Sequence, residues 1–242
     1  YGDDYDVYWD NLQVQSEGTA PFESVVKGQM TIQASDVHIE GLYLTNPGQT
    51  YGVLVDNADP SHENITIEYN RIQDVGSDTI GSYVKGIYLN RGPDNVTVDS
   101  NHFRDIHGGT MGGDGVFVGD TASSDQSTGL LISDNTFRDI TGGKGAYGVL
   151  INNGAGTPGA QVINNYFAEL NGNWTHAIGL EGATLNAVVA GNEFSNLAAS
   201  GDDKSAVFFQ DNPEGNTVEV SLNSFRDTNA YGVAVHPDDL AG

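Results

Sequence analysis

The chain has 242 residues, no cysteine, 33 acidic residues and only 9 basic ones, which gives a formal net charge of −24. The lack of cysteine excludes disulfides, thiolate nucleophiles and thiolate metal ligands from this chain. The negative charge argues against nucleic acid and anionic membranes as partners, and no apolar run is long enough for membrane insertion. An acidic, lysine-poor surface stays hydrated where salt screens repulsion, so we expect a halophilic source.

The first 29 residues stand outside the pattern that organises the rest of the chain. They are rich in Tyr, Trp and Asp, beginning YGDDYDVYWD. Because a stack of repeats must cover the apolar end of its first coil, we interpret residues 1–29 as an atypical first coil and N-terminal cap. Residues 30–242 are then expected to form one repeat domain.

A repeat begins near residue 30. Two of its copies read ITIEYNRIQDV (65–75) and VTVDSNHFRDI (96–106), and each has an asparagine at the sixth position. The column comprises Asn70, Asn101, Asn135, Asn165, Asn192 and Asn223. Spacings of 27–34 residues indicate a solenoid.

The asparagine column is expected to mark a sharp bend between two short strands. Asn tolerates the left-handed backbone conformation that such a bend requires, so we place that conformation on the asparagines themselves. Coils that stack at about 4.8 Å would bring successive amides into hydrogen-bond contact, as an internal Asn ladder. The residues two places later should form an internal stack, and they are Leu44, Ile72, Phe103, Phe137, Phe167, Phe194 and Phe225.

A third strand in each coil starts at Gly or Ala, as in Gly86–Leu89 and Gly148–Ile151. Three strands per coil predict three parallel sheets, and strand crossovers of this kind are nearly always right-handed. The fold class is therefore all-β: a right-handed, single-stranded parallel β-helix of about seven to eight coils. No capping helix is indicated after Tyr231, so we expect stacking with another chain, or with more of a longer protein, at the C-terminal end.

The motif x-φ-x-φ-x-x-N-x-φ, where φ is apolar, resembles the right-handed parallel β-helix of the pectin-lyase-like superfamily, including its archaeal surface-protein members. The resemblance covers residues 30–237 and implies a substrate groove along the sheet of the Gly-led strands. It also implies, for polysaccharide lyases, a Lys or Arg base with Ca²⁺ held by carboxylates. The superfamily includes lyases, hydrolases, epimerases, adhesins and viral spikes, so the fold does not give the activity.

The outer face of the Gly-led strands is expected to carry the site. Its outward column is apolar and aromatic, and comprises Leu54, Tyr88, Phe117, Leu150, Gly179, Phe208 and Ala234. A column on the loop side comprises Tyr51, Lys85, Asp114, Tyr147, His176, Ser205 and Tyr231. Exposed rings flanked by amides and carboxylates suit a sugar chain. We assign substrate binding to Tyr88, Phe117, Asn152, Glu181 and Phe208. The alternative is that long loops or a partner chain cover this face.

Catalysis would fall to Lys85 and Arg91, the basic residues expected beside the carboxylates of this face. Asp114 and Asp120 could hold Ca²⁺ through oxygen ligands, and a lysine near a cation could act as the base. The alternative for both basic residues is a salt bridge on an acidic surface. His176 is interpreted as an isolated surface histidine.

The leading hypothesis is an extracellular, acidic β-helix that binds carbohydrate or a cell-surface polymer along the Gly-led sheet. A Ca²⁺-dependent polysaccharide lyase or epimerase is the first alternative, and a structural filament, surface-layer or viral spike module is the second. Asn64, Asn95 and Asn173 each begin an Asn-x-Thr acceptor for glycosylation, which favours an extracellular glycoprotein.

Overall fold

The computed structural model describes residues 5–7, 12–15, 24–56, 62–119, 127–153, 156–182, 186–201, 203–210 and 217–236. Within these ranges the regular structure is entirely β, with no helix long and apolar enough to cross a membrane. The strands, in chain order, are β1 (Tyr5–Val7), β2 (Gln13–Gln15), β3 (Val25–Lys27), β4 (Met30–Ile32), β5 (Val37–Glu40), β6 (Tyr43–Pro47), β7 (Tyr51–Asp56), β8 (Glu63–Glu68), β9 (Arg71–Gly76), β10 (Val84–Asn90), β11 (Asp94–Asp99), β12 (His102–His107), β13 (Gly112–Val118), β14 (Leu131–Ser133), β15 (Thr136–Asn153), β16 (Gln161–Ile163), β17 (Tyr166–Gly182), β18 (Val188–Ala190), β19 (Glu193–Ser195), β20 (Ala198–Ala199), β21 (Lys204–Gln210), β22 (Glu219–Ser221), β23 (Ser224–Arg226) and β24 (Tyr231–Val235).

These strands stack into a parallel β-solenoid of about 7 turns, as predicted. The middle face comprises β2, β5, β8, β11, β14, β16, β18 and β22. The Gly-led face comprises β1, β4, β7, β10, β13, β21, β24 and the second halves of β15 and β17. The aromatic face comprises β3, β6, β9, β12, β19, β23 and the first halves of β15 and β17. Because β15 and β17 run through the corner, the last two faces are joined into one hydrogen-bonded sheet.

Strands before residue 30 already belong to this stack. β1 pairs in parallel with β4, β2 with β5 and β3 with β6. A coil therefore precedes the repeat. The cap that we predict within residues 1–29 falls largely outside the described residues.

The asparagine ladder is confirmed. Between successive coils the amide Nδ2 donates to the next Oδ1 at 3.0–3.1 Å, from Asn70 to Asn223. The same Oδ1 accepts the backbone N–H of the preceding ladder asparagine at 2.8–2.9 Å. Each Nδ2 also donates to a backbone carbonyl one coil earlier, as Asn101 does to Ile67 at 2.8 Å. Each ladder asparagine inside the row therefore hydrogen-bonds to both the preceding and the following coil.

The prediction that the asparagines themselves take the left-handed conformation is wrong. The left-handed conformation lies one residue earlier, at Tyr69, Ser100, Asp134, Asn164 and Leu222, with φ of 51–57°. In two other coils that position is Gly41 or Gly191. The asparagine is thus required for an amide that both donates and accepts inside the stack, while its neighbour takes the strained dihedral.

The core is a continuous column of side chains from the three faces. Val53, Ile87, Val116, Val149 and Ile178 are fully buried, as the alternation predicts. Phe103, Phe137, Phe167, Phe194 and Phe225 stack at centroid distances of 4.6–5.2 Å with rings nearly parallel. In the last described coil, Val233 and Val235 flank the outward position of Ala234, yet they are 47 % and 41 % exposed. No described coil lies beyond them to cover them.

The glycine that opens each Gly-led strand lies close to the aromatic stack in the core. A Cβ on Gly148 would lie 2.4 Å from Cδ1 of Phe167 and 2.7 Å from the carbonyl oxygen of Ala177. The strand pairing skips this glycine, since Tyr147 pairs with Asp114 and Val149 with Val116. Val149 is fully buried, whereas Tyr147 lines the cleft. Residues before the glycine therefore face outward, where they form the floor of the site.

Candidate functional site: a cleft on the Gly-led face

A cleft of about 700 Å³ lies on the Gly-led face. Its walls are Tyr83, Lys85, Asp114, Phe117, Gly145, Tyr147, Leu150, Asn152, Trp174, His176, Glu181, Asp203, Phe208, Gln210 and His236. The loop-side column predicted from the sequence is in register: Lys85 pairs with Asp114, Asp114 with Tyr147, and Tyr147 with His176. Solenoid stacking thus brings together side chains that are about 30 residues apart along the chain.

Four of the five residues assigned to substrate binding line this cleft: Phe117, Asn152, Glu181 and Phe208. Tyr88 lies beside it, with its ring 5.3 Å from that of Phe117. The Nδ2 of Asn152 donates to Oε2 of Glu181 at 2.8 Å, which fixes the amide and the carboxylate relative to each other. Their role in binding stays a prediction.

The prediction that the outward aromatic column is exposed is wrong in part. Phe208 is only 6 % exposed and Leu150 only 8 %, while Tyr88 and Phe117 are half-buried. The rings cover one another: Phe208 stacks on His176 at 4.2 Å. Neighbouring coils place these large side chains so close that each shields the next.

The exposed rings of the cleft are two that the sequence analysis did not single out. Tyr83 and Trp174 are each 43 % exposed. They stand two residues before Lys85 and His176, in a column whose two intervening members are Gly112 and Gly145. Three coil steps of about 4.8 Å separate the two backbone positions by about 14 Å along the stack. The Tyr83 ring lies over Gly112, where a Cβ would be 2.8 Å from its Cδ1, and the Trp174 ring comes within 3.9 Å of the Cβ position of Gly145, so the trough between the rings is shorter than this spacing.

Lys85 lies at the Tyr83 end within a group of aromatic rings. Its Nζ is 4.7 Å from the ring centroid of Phe117, and 5.2–5.7 Å from those of Tyr51, Tyr83 and Tyr88. The residue is 8 % exposed. Burial lowers the pKa of the Lys85 ammonium, and the charge of Asp114 acts in the opposite direction. The rings stabilise the charged form through their π faces.

Asp114 lies on the floor of the cleft and is 2 % exposed. Burial raises the pKa of its carboxyl to about 7. The charge of Lys85 lowers this pKa, and the charge of Glu181 raises it. A carboxyl of this kind can hold or release a proton near neutral pH, which is the property required of a general acid or base.

The interpretation of His176 as an isolated surface residue is wrong. It is 1 % exposed, its Nδ1 lies 2.8 Å from Oγ of Ser205, and its Nε2 lies 3.7 Å from Oδ1 of Asp203. Burial lowers the pKa of the imidazole to about 4, although Asp203 opposes the shift. Burial likewise raises the pKa of the neighbouring Tyr147 phenol, with contributions from Glu181 and Asp114. Both groups are neutral at pH 7.

Arg91 is not brought together with Lys85. It lies in the turn after β10, exposed and with φ of 57°, and is not part of the cleft wall. Asp120 lies outside the described residues, so its proposed part in a Ca²⁺ site with Asp114 stays a prediction. In the described part of the chain, the group of three side chains with metal-ligand spacing is His38, Glu40 and Glu68, on the middle face.

The three glycosylation acceptors are exposed. The Nδ2 of Asn64 donates to Asp36 at 2.9 Å, and that of Asn95 donates to Asn64 at 3.3 Å, in a short ladder on the outer surface of the middle face. Asn173 lies in β17. Their modification stays a prediction.

No protein-family model matches the chain, and a search of curated proteins found no match. Among solved structures, the chain is similar to an alginate lyase from Paenibacillus sp. str. FPU-7, with 14 % identity, a TM-score of 0.50, and coverage of 97 % of this chain and 89 % of that one. It also matches the catalytic unit of a thermostable GH87 α-1,3-glucanase from Streptomyces thermodiastaticus strain HF3-3, with 14 % identity, a TM-score of 0.48, and coverage of 96 % and 49 %. At such low identity the likeness to the lyase supports a common fold alone.

Proposed function

We propose that the protein binds a polysaccharide chain in the cleft of the Gly-led face. The observation that carries this proposal is the cleft, which has the exposed rings of Tyr83 and Trp174 along one side and a row of polar groups, seven residues further along the strands, on the other. Sugar ring faces pack on aromatic rings, and hydroxyls need donors and acceptors such as Asn152 and Glu181. A linear polymer running along the solenoid would meet one coil after another. The alginate lyase that resembles this fold has a polysaccharide as its substrate.

We propose further that the bound chain is cleaved by hydrolysis, with Asp114 as the general acid. A buried carboxyl with a pKa of about 7 keeps its proton at the pH where most carboxyls have lost theirs. Glu181 is the second carboxylate of the cleft, and its charge contributes to that raised pKa. Hydrolysis of a glycosidic bond uses such a pair, one protonated and one ionised.

The second candidate is elimination by a polysaccharide lyase, with Lys85 as the base. The lowered pKa of Lys85 favours it, because a neutral amine can accept a proton. In this case the polymer must contain uronate, and its products absorb in the ultraviolet. Hydrolysis instead releases new reducing ends without that absorbance.

Binding is tested by titrating a panel of polysaccharides in multimolar salt against the protein and two variants. Trp174→Ala should weaken binding about tenfold, or about 1.4 kcal/mol. Tyr166→Ala is the matched control, because Tyr166 lies in the same strand but on the aromatic face. Absence of binding to any polysaccharide, or equal losses in both variants, would refute the proposal.

Cleavage is tested with Asp114→Asn and Lys85→Gln. If Asp114 is the acid, D114N abolishes the release of reducing ends, and the activity of the unmodified protein falls as the pH rises above about 7. Asp78→Asn is the control, since the Asp78 side chain is 89 % exposed. Activity that survives D114N but is lost in K85Q, with ultraviolet-absorbing products, would favour elimination.

We also propose, from composition and acceptor sequences, that the protein is a glycoprotein that works outside the cell at high salt. The 33 acidic residues against 9 basic ones, and the exposure of Asn64, Asn95 and Asn173, support this. Mass spectrometry of the protein from its natural source tests the glycans at these positions.

A further inference from the structure

A histidine and two glutamates meet on the outer surface of the middle face. His38 and Glu40 point outward from β5, and Glu68 points outward from β8, because each alternates with buried residues. The Nε2 of His38 lies 2.8 Å from Oε1 of Glu68 and 3.9 Å from Oε2 of Glu40. One nitrogen and two carboxylate oxygens thus lie within 4.8 Å of one another. None of the three residues lines the cleft of the Gly-led face.

The strand register holds the two glutamates side by side. Glu40 pairs with Glu68 across β5 and β8, and His38 pairs with Thr66. Neighbouring strands are about 4.8 Å apart, a distance at which two carboxylates repel each other. Neither β5 nor β8 contains a lysine or arginine that would offset this repulsion. A cation held between the carboxylates would offset it.

The next carboxylate in the same row is satisfied in a different way. Asp99 pairs in register with Glu68, and its carboxylate accepts hydrogen bonds from the hydroxyls of Ser100 and Ser133. In the part of the chain that the structure describes, the side-chain contacts of Glu40 and Glu68 are with His38. Their remaining carboxylate oxygens are therefore available to a ligand from solution.

We propose that His38, Glu40 and Glu68 bind a divalent transition-metal ion of the Zn²⁺ class. Imidazole nitrogen with carboxylate oxygens suits such ions, whereas Ca²⁺ and Mg²⁺ take oxygen ligands. Ligand atoms at about 2.0–2.2 Å from a tetrahedral Zn²⁺ are about 3.4 Å apart. Rotation of the two glutamate side chains brings the three atoms to this spacing without moving a strand. Water fills the open position, and the ion links β5 to β8 and so joins two successive coils.

The test is a calorimetric titration with Zn²⁺ alone, at about pH 7.5, where imidazole is ordinarily neutral and able to ligate. Sodium nitrate at about 1 M screens the general attraction of an acidic surface for cations. The protein should bind one Zn²⁺ per chain, and Ca²⁺ should not displace it. His38→Gln and Glu68→Gln should each weaken binding by at least about tenfold, because even a residue that only supports a metal ligand contributes about 10–100-fold.

The matched control is His107→Gln. The His107 side chain is 32 % exposed, as is that of His38, and its Nδ1 lies 3.5 Å from Oδ1 of Asp78. Among the described residues it belongs to no group of three with metal-ligand spacing. This variant should therefore bind Zn²⁺ as the unmodified protein does.

Nitrogen NMR of the unmodified protein tests the ligand directly, without relying on the folding of a variant. Of the 6 histidines, His38 should show the largest change in its ring resonances when one Zn²⁺ is added. The proposal is overturned if no Zn²⁺ binds, if Ca²⁺ displaces it, if the His38 ring is unaffected, or if His38→Gln and His107→Gln bind equally well. None of these results bears on polysaccharide binding in the cleft, which lies on another face.

Discussion

Replacing Asn135 with alanine tests the contribution of the asparagine ladder to stability at a position in the middle of the row. This asparagine is 1 % exposed and lies between Asn101 and Asn165 in the middle of the row. Its Nδ2 donates to the carbonyl of Val98 at 2.8 Å and to Oδ1 of Asn165 at 3.0 Å. Its Oδ1 accepts the backbone N–H and the Nδ2 of Asn101 at 2.8 and 3.1 Å. Alanine removes all four bonds at once.

The loss can be estimated bond by bond. The Nδ2 of Asn101 keeps its bond to Ile67, and Oδ1 of Asn165 keeps the backbone N–H of residue 135. The backbone N–H of Asn101 is left buried without this acceptor, which costs about 1–3 kcal/mol. The other lost bonds contribute about 0.5–1.5 kcal/mol each, with incomplete additivity. We therefore expect Asn135→Ala to lower the free energy of unfolding by about 3–5 kcal/mol.

Urea denaturation followed by circular dichroism gives this free energy from the midpoint and slope. Asn152→Ala serves as the control, since Asn152 is half-buried and bonds Glu181 at the surface. It should cost less than about 1 kcal/mol. Equal losses in the two variants would mean that the ladder does not hold the coils together.

Four further changes probe the corner glycine, two buried ionisable groups and one surface ion pair. Gly148→Ala should lower the free energy of unfolding by about 2–4 kcal/mol in urea denaturation, because its Cβ would overlap the Phe167 ring. Gly81→Ala should have no effect, because no atom lies within 4 Å of its Cβ position. Equal effects of the two changes would refute the close approach. In the folded protein Asp114 has a pKa of about 7, against an ordinary 3.8. Its contribution to stability therefore falls as the pH rises from about 4 to 7, by at most about 4 kcal/mol. Asp114→Asn should remove that fall in a pH series of unfolding curves. His176 acts in the opposite sense, because its pKa of about 4 lies below the ordinary 6.5. Its contribution to stability is lost as the pH falls from 6.5 to about 4, so His176→Gln should reduce the fall in the free energy of unfolding over this range. An unaltered fall would contradict the burial of the imidazole. Arg138→Gln breaks the 2.7 Å contact with the exposed Glu169 and should cost only about 0.5 kcal/mol, less at high salt; a loss above about 2 kcal/mol would mean that the pair is more than a surface contact.

The fold could be predicted because each coil repeats the same physical requirement. Alternating apolar residues fill one interior, and the asparagine recurs at a fixed place, so register follows once the period is known. The left-handed residue before the asparagine could not be identified in this way. That column holds Tyr, Ser, Asp, Asn, Gly and Leu, and the turn geometry imposes the conformation without a residue preference.

Only those cleft residues could be predicted whose position follows from the strand register between coils. Lys85, Asp114 and Tyr147 were placed in one column by counting from the glycine of each strand, and the structure has them there. Tyr83 and Trp174 lie in a column two residues earlier that the same counting reaches, but the glycines between them, Gly112 and Gly145, give that column no common residue type to indicate a role. Arg91 is expected beside the carboxylates of this face, but it lies in the turn after β10 and is not part of the cleft wall.

The proposed function depends most on a sugar chain lying in the cleft between Tyr83 and Trp174. A crystal structure of the Asp114→Asn protein soaked with an oligosaccharide from the binding panel would test this directly. We predict sugar rings packed on Trp174, with hydroxyls within hydrogen-bond distance of Asn152 and Glu181. Oligosaccharide bound on another face, with the trough empty at saturating concentration, would contradict the account.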